Sequence, residues 1–255
     1  MRAKKHLGQH FLVDQSIAKR IVGSLVNNGE VSDVVEVGPG KGMLTQYLLK
    51  QELRLVMIDA DGDMIEHLRK KYPDHADRII HADFLRCHLP QIMPSSFYLI
   101  GNFPYFISSQ IVFKMLDNRD LIPQMVGMFQ KEVATRIASS HGTKNYGILS
   151  VLVQAFYNVE YLFSVKPGSF SPPPKVTSGV IRLTKKDDVQ ITLAVEKRLR
   201  QVVKMAFNQR RKMLRNSLKS ILPESFDQSH PYLIRRPEQM SVDDFIELNR
   251  ILLSL

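Results

Sequence analysis

Asn102-Phe103-Pro104-Tyr105 follows the apolar run Phe97-Tyr98-Leu99-Ile100 and brings an amide, a rigid backbone position and a phenol to one place. An ordinary turn would more readily use Asn-Gly or Pro-Asp. An Asn side-chain carbonyl and a backbone carbonyl, both accepting from one amine, draw a ring-conjugated nitrogen toward a tetrahedral, nucleophilic form. Pro104 removes a donor and stiffens the turn. Tyr105 can stack on an extruded base, or it can pack on the core. Phe103 is the freest of the four letters.

A second cluster is Glu36-Val37-Gly38-Pro39-Gly40-Lys41-Gly42. Gly38 and Gly40 let the backbone approach a ligand, and a helix amino terminus favours electron-rich groups. The same residues also make a tight strand-to-helix turn with nothing bound. The GxGxG spacing is shorter than the GxGxxG of dinucleotide sites. Asp59 lies 19 residues after Gly40 and can accept both hydroxyls of a ribose, or cap the helix that starts near Asp61. Asp83 can accept from the exocyclic amine of adenine, or cap a turn. Phe170, within Ser169-Phe170-Ser171-Pro172-Pro173-Pro174, can close the other face of a stacked base or anchor its loop. Cys87 lacks a Pro-Cys context at a strand end, which argues against a covalent cysteine mechanism. The eight histidines give no reason to expect a metal site.

These residues need elements that bring them together. Val34–Val37, Leu53–Ile58, residues 78–82, 97–101 and 124–129 read as strands. Helical patterns cover 14–27, the stretch through Met43 to Leu48, 61–71 and 106–116. Strands alternating with helices imply an α/β fold with a doubly wound, mostly parallel sheet. Such sheets bind ligands at the carboxyl ends of their strands, where Gly38, Asp59, Asp83 and Asn102 stand. After a helix near 146–153, residues 154–184 read as two strands joined by a proline-stiffened loop, an antiparallel edge on the sheet. Lys185-Lys186-Asp187-Asp188 is a charged break. Beyond it helices are expected at 190–207, 208–220 and 241–254. The expected division is a ligand-binding α/β domain over 1–185 and a small all-α domain over 186–255. His6 to Leu12 precede the first helix, and Phe11 and Leu12 are too apolar for a free tail, so this segment is expected to lie over the pocket.

The 255 residues carry a net charge of +10. No apolar run nears the ~20 residues that cross a bilayer, and the basic N-terminus lacks the apolar core of a secretory signal. One cysteine excludes an internal disulfide and makes a reducing cytoplasm the default. The charge is concentrated. Lys197, Arg198, Arg200, Lys204, Arg210, Arg211, Lys212, Arg215 and Lys219 occur between 197 and 219 without an acid. Helical spacing puts Lys204, Arg211 and Arg215 on one stripe, extended by Arg200 and Lys197. A solvated face normally mixes signs, so a phosphate-binding surface for nucleic acid is the reading preferred.

The GxGxG loop with an acid two places before its first glycine resembles the cofactor loop of S-adenosylmethionine-dependent methyltransferases. With Gly8-Gln9-His10-Phe11-Leu12, Asn102-Phe103-Pro104-Tyr105, Phe170 before Pro172-Pro173-Pro174-Lys175-Val176, and Arg210-Arg211-Lys212-Met213-Leu214-Arg215-Asn216, the chain resembles the ribosomal RNA adenine N6-dimethyltransferase family, nearest its bacterial small-subunit (16S) branch. The marks run from residue 4 to about 250. The resemblance implies a Rossmann-like methyltransferase fold with a helical rRNA-binding domain. It implies that His10, Leu12, Gly38, Asp59, Asp83 and Asn102 contact S-adenosylmethionine, and that Asn102, Tyr105 and Phe170 hold the target adenine. The implied partner is 16S rRNA in the immature small subunit, not DNA and not a membrane, met by a cytoplasmic monomer. The family more often has Asn where His10 stands, Glu where Asp59 stands and Leu where Phe103 stands. His can still donate to a carboxylate, and the shorter Asp would reach its ribose through water. Three rivals are a large-subunit rRNA methyltransferase, a DNA adenine methyltransferase and a non-catalytic assembly factor. The triple proline and the RRKMLRN stretch disfavour the first. No target-recognition domain supports the second, and the intact Gly38, Gly40, Asp83 and Asn102 disfavour the third.

Overall fold

The computed structural model describes residues 9–27, 29–187, 189 and 191–254. In chain order the elements are β1 (Phe11–Leu12), α1 (Gln15–Val22), β2 (Asp33–Val37), α2 (Thr45–Leu48), β3 (Arg54–Asp59), α3 (Gly62–Lys71) and β4 (Ile79–His81). They continue with α4 (Leu89–Ile92), β5 (Phe97–Asn102), α5 (Ser108–Asp117), β6 (Gln124–Gln130), α6 (Lys131–Ala138), α7 (Ile148–Gln154) and β7 (Tyr157–Val165). Last come β8 (Phe170–Ser171), β9 (Ser178–Lys185), α8 (Leu193–Asn208), α9 (Leu214–Ser217) and α10 (Val242–Ser254).

The chain forms two compact units. One is the chain up to Ala134 with Glu160–Lys185, and the other is Thr135–Val159 with the chain from Lys186 onward. The first unit is built on a sheet of order β4-β3-β2-β5-β6-β9-β7. Strands β4, β3, β2, β5 and β6 pair in parallel, and β9 runs antiparallel to β6. The expected doubly wound sheet with an antiparallel edge is therefore present. Its central strands β2, β5 and β6 are buried without alternation because helices cover both faces. The one charge at the start of β2, Asp33, is met by Arg54 Nε at 2.6 Å and Ser95 Oγ at 3.1 Å. Sequence order reverses between β2 and β5, and the crevice of a doubly wound sheet opens at such a point. A separate two-stranded ladder pairs Phe11 with Ser171 and Leu12 with Phe170.

Helix α1 starts where Asp14 accepts from the backbone N–H of Ser16 and Ile17, and it buries Ala18, Ile21 and Val22. It stops at Val22, short of the expected residue 27. In the second unit, Leu149 to Val153 of α7 are all buried, and α7 packs against α8 and α10. A helix buried all round belongs to a core, so residues 135–159 group with the C-terminal helices although they precede β9 in sequence. Tyr146, Phe207 and Phe245 form an aromatic chain in that core, with centroids 5.8 and 6.0 Å apart. The helix expected over 208–220 is reduced to α9. The Leu214 and Arg215 N–H groups donate to the Arg235 and Leu233 carbonyls at 2.8 and 3.0 Å, so tertiary pairing takes donors a helix would use. The stripe joining Lys204 to Arg211 and Arg215 on one helix does not exist.

Candidate active site

The carboxyl ends of β2, β3, β4 and β5 open into one cavity. Gly38, Gly40, Asp59, Asp83, Asn102, Pro104 and Tyr105 line it, with His10 and Leu12 from the N-terminal segment. Nine of the ten residues picked from sequence are thus brought together. The tenth, Phe170, is not: its ring is 4% exposed and sits in the apolar core with Leu12, Val165 and Val180. The loop-anchor alternative describes its position. Of the segment expected over the pocket, Gln9 to Leu12 line it, while His6 to Gly8 lie outside the described residues.

After β2 the backbone takes positive φ at Gly38 (67°) and Gly40 (54°), a region that side chains with a Cβ rarely adopt. A Cβ on Gly40 would also lie 3.1 Å from Cε1 of Phe11, so the ring of β1 rests on bare backbone. Gly40 N–H donates to Asp59 Oδ2 at 3.2 Å, and Asp61 N–H donates to Oδ1 at 2.9 Å. Asp59 therefore ties the glycine loop to the end of β3. Burial raises its pKa, the two N–H groups opposing the shift. The cap of α3 is Asp61, which accepts from Asp63 N–H, so the capping alternative for Asp59 falls away. Asp83 does cap, accepting Leu85 N–H at 3.0 Å at the head of a short 3-10 turn. It nevertheless stays on the cavity wall, with Arg86 Nε 3.5 Å away.

Beneath the loop, Glu36 is buried and accepts from Thr45 Oγ1 at 2.6 Å. Burial pushes its pKa up to about 8, against the Thr45 hydrogen bond, and the nearby Asp59 adds to the rise.

Asn102 ends the central strand β5. Its Nδ2 donates to the His10 carbonyl at 3.1 Å, so the amide is oriented by the N-terminal segment. The acceptor Oδ1 has no partner among the described residues and is left for a donor in the cavity. Tyr105 OH shares a hydrogen bond with Ser178 Oγ at 2.6 Å, and burial raises the phenol pKa. The His10 ring stacks on Tyr105 with centroids 5.7 Å apart, and its Nδ1 is 2.9 Å from the Pro172 carbonyl oxygen. His10 thus binds β1, Asn102, Tyr105 and the proline loop into one assembly.

Phe103 is not free to vary. It is 1% exposed, its ring lies 5.2 Å from that of Phe129, and a Cβ on Gly101 or Gly127 would fall 2.6 or 2.5 Å from it. Two glycines make room for one ring. Sequence reading also missed Ser178 and Phe106, and within the expected segment it gave no role to Gln9, whose Nε2 donates to Asp61 Oδ2 at 2.7 Å. No local signal marks Gln9 or Ser178, since their partners are 52 and 73 residues away. Cys87 is buried, which raises its thiol pKa and disfavours the thiolate that a nucleophile needs. His6 and His10 do stand four residues apart, but His6 is outside the described residues. Among those described, no three His, Cys, Asp or Glu side chains cluster to hold a metal ion.

Of the nine cations between 197 and 219, Arg200 pairs with Glu196 at 2.9 Å, just outside that window. Arg198 and Arg210 donate to the carbonyls of Ile221 and Thr143. Lys197, Lys204, Arg211, Lys212, Arg215 and Lys219 are exposed and have no partner among the described residues. No helix of the described residues is long and apolar enough to cross a membrane.

The family model described as ribosomal RNA adenine dimethylase matches residues 1–251. A "Ribosomal RNA small subunit methyltransferase A" from Cytophaga hutchinsonii is 51% identical over 253 residues, covering 99% of this chain and 98% of that protein. Among solved structures, a dimethyladenosine transferase from Plasmodium falciparum superposes with a TM-score of 0.78 at 26% identity, covering 94% of this chain and 96% of the other. The 23S rRNA methyltransferase ErmE gives 0.70 at 26% identity, covering 93% and 98%.

Proposed function

The chain belongs to the ribosomal RNA adenine dimethylase family and is an S-adenosylmethionine-dependent methyltransferase, and from that premise we propose that it dimethylates N6 of two adjacent adenosines near the 3′ end of 16S rRNA. It does so on the immature small subunit in the cytoplasm, as a monomer, and serves small-subunit biogenesis. The observation that carries the reading is the half-used carboxamide of Asn102, a cavity-lining residue whose donor is committed to the His10 carbonyl and whose acceptor has no partner among the described residues.

The residues present fit the cofactor. Gly38 and Gly40 expose bare backbone at positive φ on the cavity wall, and Glu36, Asp59 and Asp83 offer carboxyl oxygens to hydroxyl, amine and cationic groups. Asp59 would hold the ribose, Asp83 the adenine amine, and the His10–Leu12 segment would cover them. When bound, S-adenosylmethionine supplies an electrophilic methyl group on a sulfonium. Asn102 Oδ1 and the backbone beside it accept the N–H groups of the target amine and turn its lone pair out of the ring. Tyr105 stacks on the base, and Pro104 keeps the acceptors in place. No covalent enzyme intermediate or strong base is required: catalysis is positioning and electrostatics, with the proton released to water. The helical unit formed by Thr135–Val159 and the chain from Lys186 onward supplies the cationic surface for rRNA backbone.

Tritiated methyl donor incubated with the protein and immature 30S particles tests this, with digestion of the RNA to nucleosides. N6,N6-dimethyladenosine in 16S rRNA is expected. The likeness to ErmE keeps a large-subunit substrate as the second reading, and label in 50S precursors instead would establish it.

A further inference from the structure

The aromatic residues of the cavity are unequally available. Phe11, Phe84 and Phe103 are buried, and Phe170 is outside the lining altogether. Tyr105 is half-buried, pinned by Ser178 and covered on its ring by His10. Phe106 alone among these phenylalanines stands out, 60% exposed at the rim. It has no ring partner among the described residues. An isolated surface phenylalanine is unremarkable by itself. This one is held by the same 3-10 turn as Tyr105, closed by Ile107 N–H on Pro104 O at 3.2 Å and Ser108 Oγ on Tyr105 O at 2.9 Å. Consecutive residues of so tight a turn diverge, and here one ring is inside the cavity and the next is in solvent.

A base drawn into a pocket leaves its neighbour in the strand without a stacking partner. We propose that Phe106 is the platform on which the nucleotide next to the target stacks, so that it positions the RNA strand while Tyr105 receives the base to be modified. This rests on the RNA adenine methyltransferase reading of the site. A ring face accepts any base, and one stack with a base is worth about 1–3 kcal/mol, or roughly 5- to 150-fold in affinity.

The test is methyl transfer to immature small subunits by wild type, Phe106→Ala and Phe106→Trp, resolved into kcat and KM. It is accompanied by cofactor titration calorimetry and melting curves. Expected is a KM raised about 5- to 150-fold in Phe106→Ala with kcat, cofactor affinity and melting temperature kept, and recovery in Phe106→Trp. A second measurement uses a single-stranded RNA with 2-aminopurine beside the target adenosine. The wild type should quench its fluorescence and Phe106→Ala should not. Unchanged KM and unchanged quenching in Phe106→Ala would overturn the assignment, and so would a loss confined to kcat. Failure of the wild type to methylate any RNA would instead bring down the methyltransferase substrate reading, and this proposal with it.

Discussion

At the scale of single residues, the least replaceable group is a carbonyl oxygen. Asn102→Ala removes the free acceptor together with the donor that holds His10. Methyl transfer should fall by at least ~10²-fold, the cost of deleting one preorganised partner of a reacting group. RNA binding should stay near wild type, as filter binding beside single-turnover transfer would measure. Equal losses in both would show that Asn102 shapes the RNA surface instead. Its neighbour Phe103 makes the opposite forecast. Phe103→Ala should cost about 3–5 kcal/mol of stability by emptying a space shaped by Gly101 and Gly127, while Phe103→Leu should cost far less. Denaturant unfolding of the two variants checks this. The polar residues were legible because a carboxylate or amide at the end of an apolar strand is conspicuous in one dimension. The phenylalanines were not. Whether a Phe is core or surface depends on what packs on it, and Phe103 depends on a glycine 24 residues later in β6. Phe106 looked no different in sequence from Phe103 or Phe170, yet it alone is exposed.

At the scale of elements, the junction of β2 with the glycine turn stores an unfavourable ionisation. Glu36 has a pKa near 8 in the fold against an ordinary carboxyl value of 4.5 when unfolded. Below pH 4.5 both states hold the proton and the group is neutral to stability. Between 4.5 and about 8 the folded state binds more protons, so stability falls as pH rises, and above 8 the full cost remains. Glu36→Gln should remove that slope and raise the melting temperature chiefly at alkaline pH, which scanning at pH 5, 7 and 9 would resolve. A melting profile parallel to wild type would mean that Glu36 is ionised in the fold. In the same turn, Gly40→Ala forces a Cβ into the left-handed region and against Phe11. Cofactor affinity by calorimetry should drop at least tenfold while the sheet stays folded. The parallel sheet and its order of elements were readable from alternating patterns. The β1–β8 ladder was not, because two residues pairing across about 160 positions carry no periodicity. Nor was the shortness of α9, whose first N–H groups are taken by the carbonyls of residues 233 and 235.

At the scale of the whole molecule, a net charge of +10 attracts a polyanion, but charge count alone does not say which cations meet it. Three of the nine between 197 and 219 are spent inside the protein, and six are free. A bound cation releases counterions from phosphate, and log K then falls with log salt by about 0.7 per contact on single strands and 0.9 on B-form duplexes. Replacing Lys204, Arg211, Lys212 and Arg215 together by Gln should therefore flatten the salt dependence of RNA binding by roughly 3 in slope. Cofactor affinity should not change, because none of the four lines the cavity. Replacing Arg198, Arg200 and Arg210 should act the other way, lowering the melting temperature with a smaller change in slope, since each loses an internal partner. Titrations of 16S rRNA between 50 and 300 mM salt distinguish the two sets. If both sets flatten the slope equally, the internal bonds open when RNA binds and the whole cationic segment is the interface. If neither does, the charge on this segment serves solubility, and the RNA is held by the rim of the cavity where Phe106 stands.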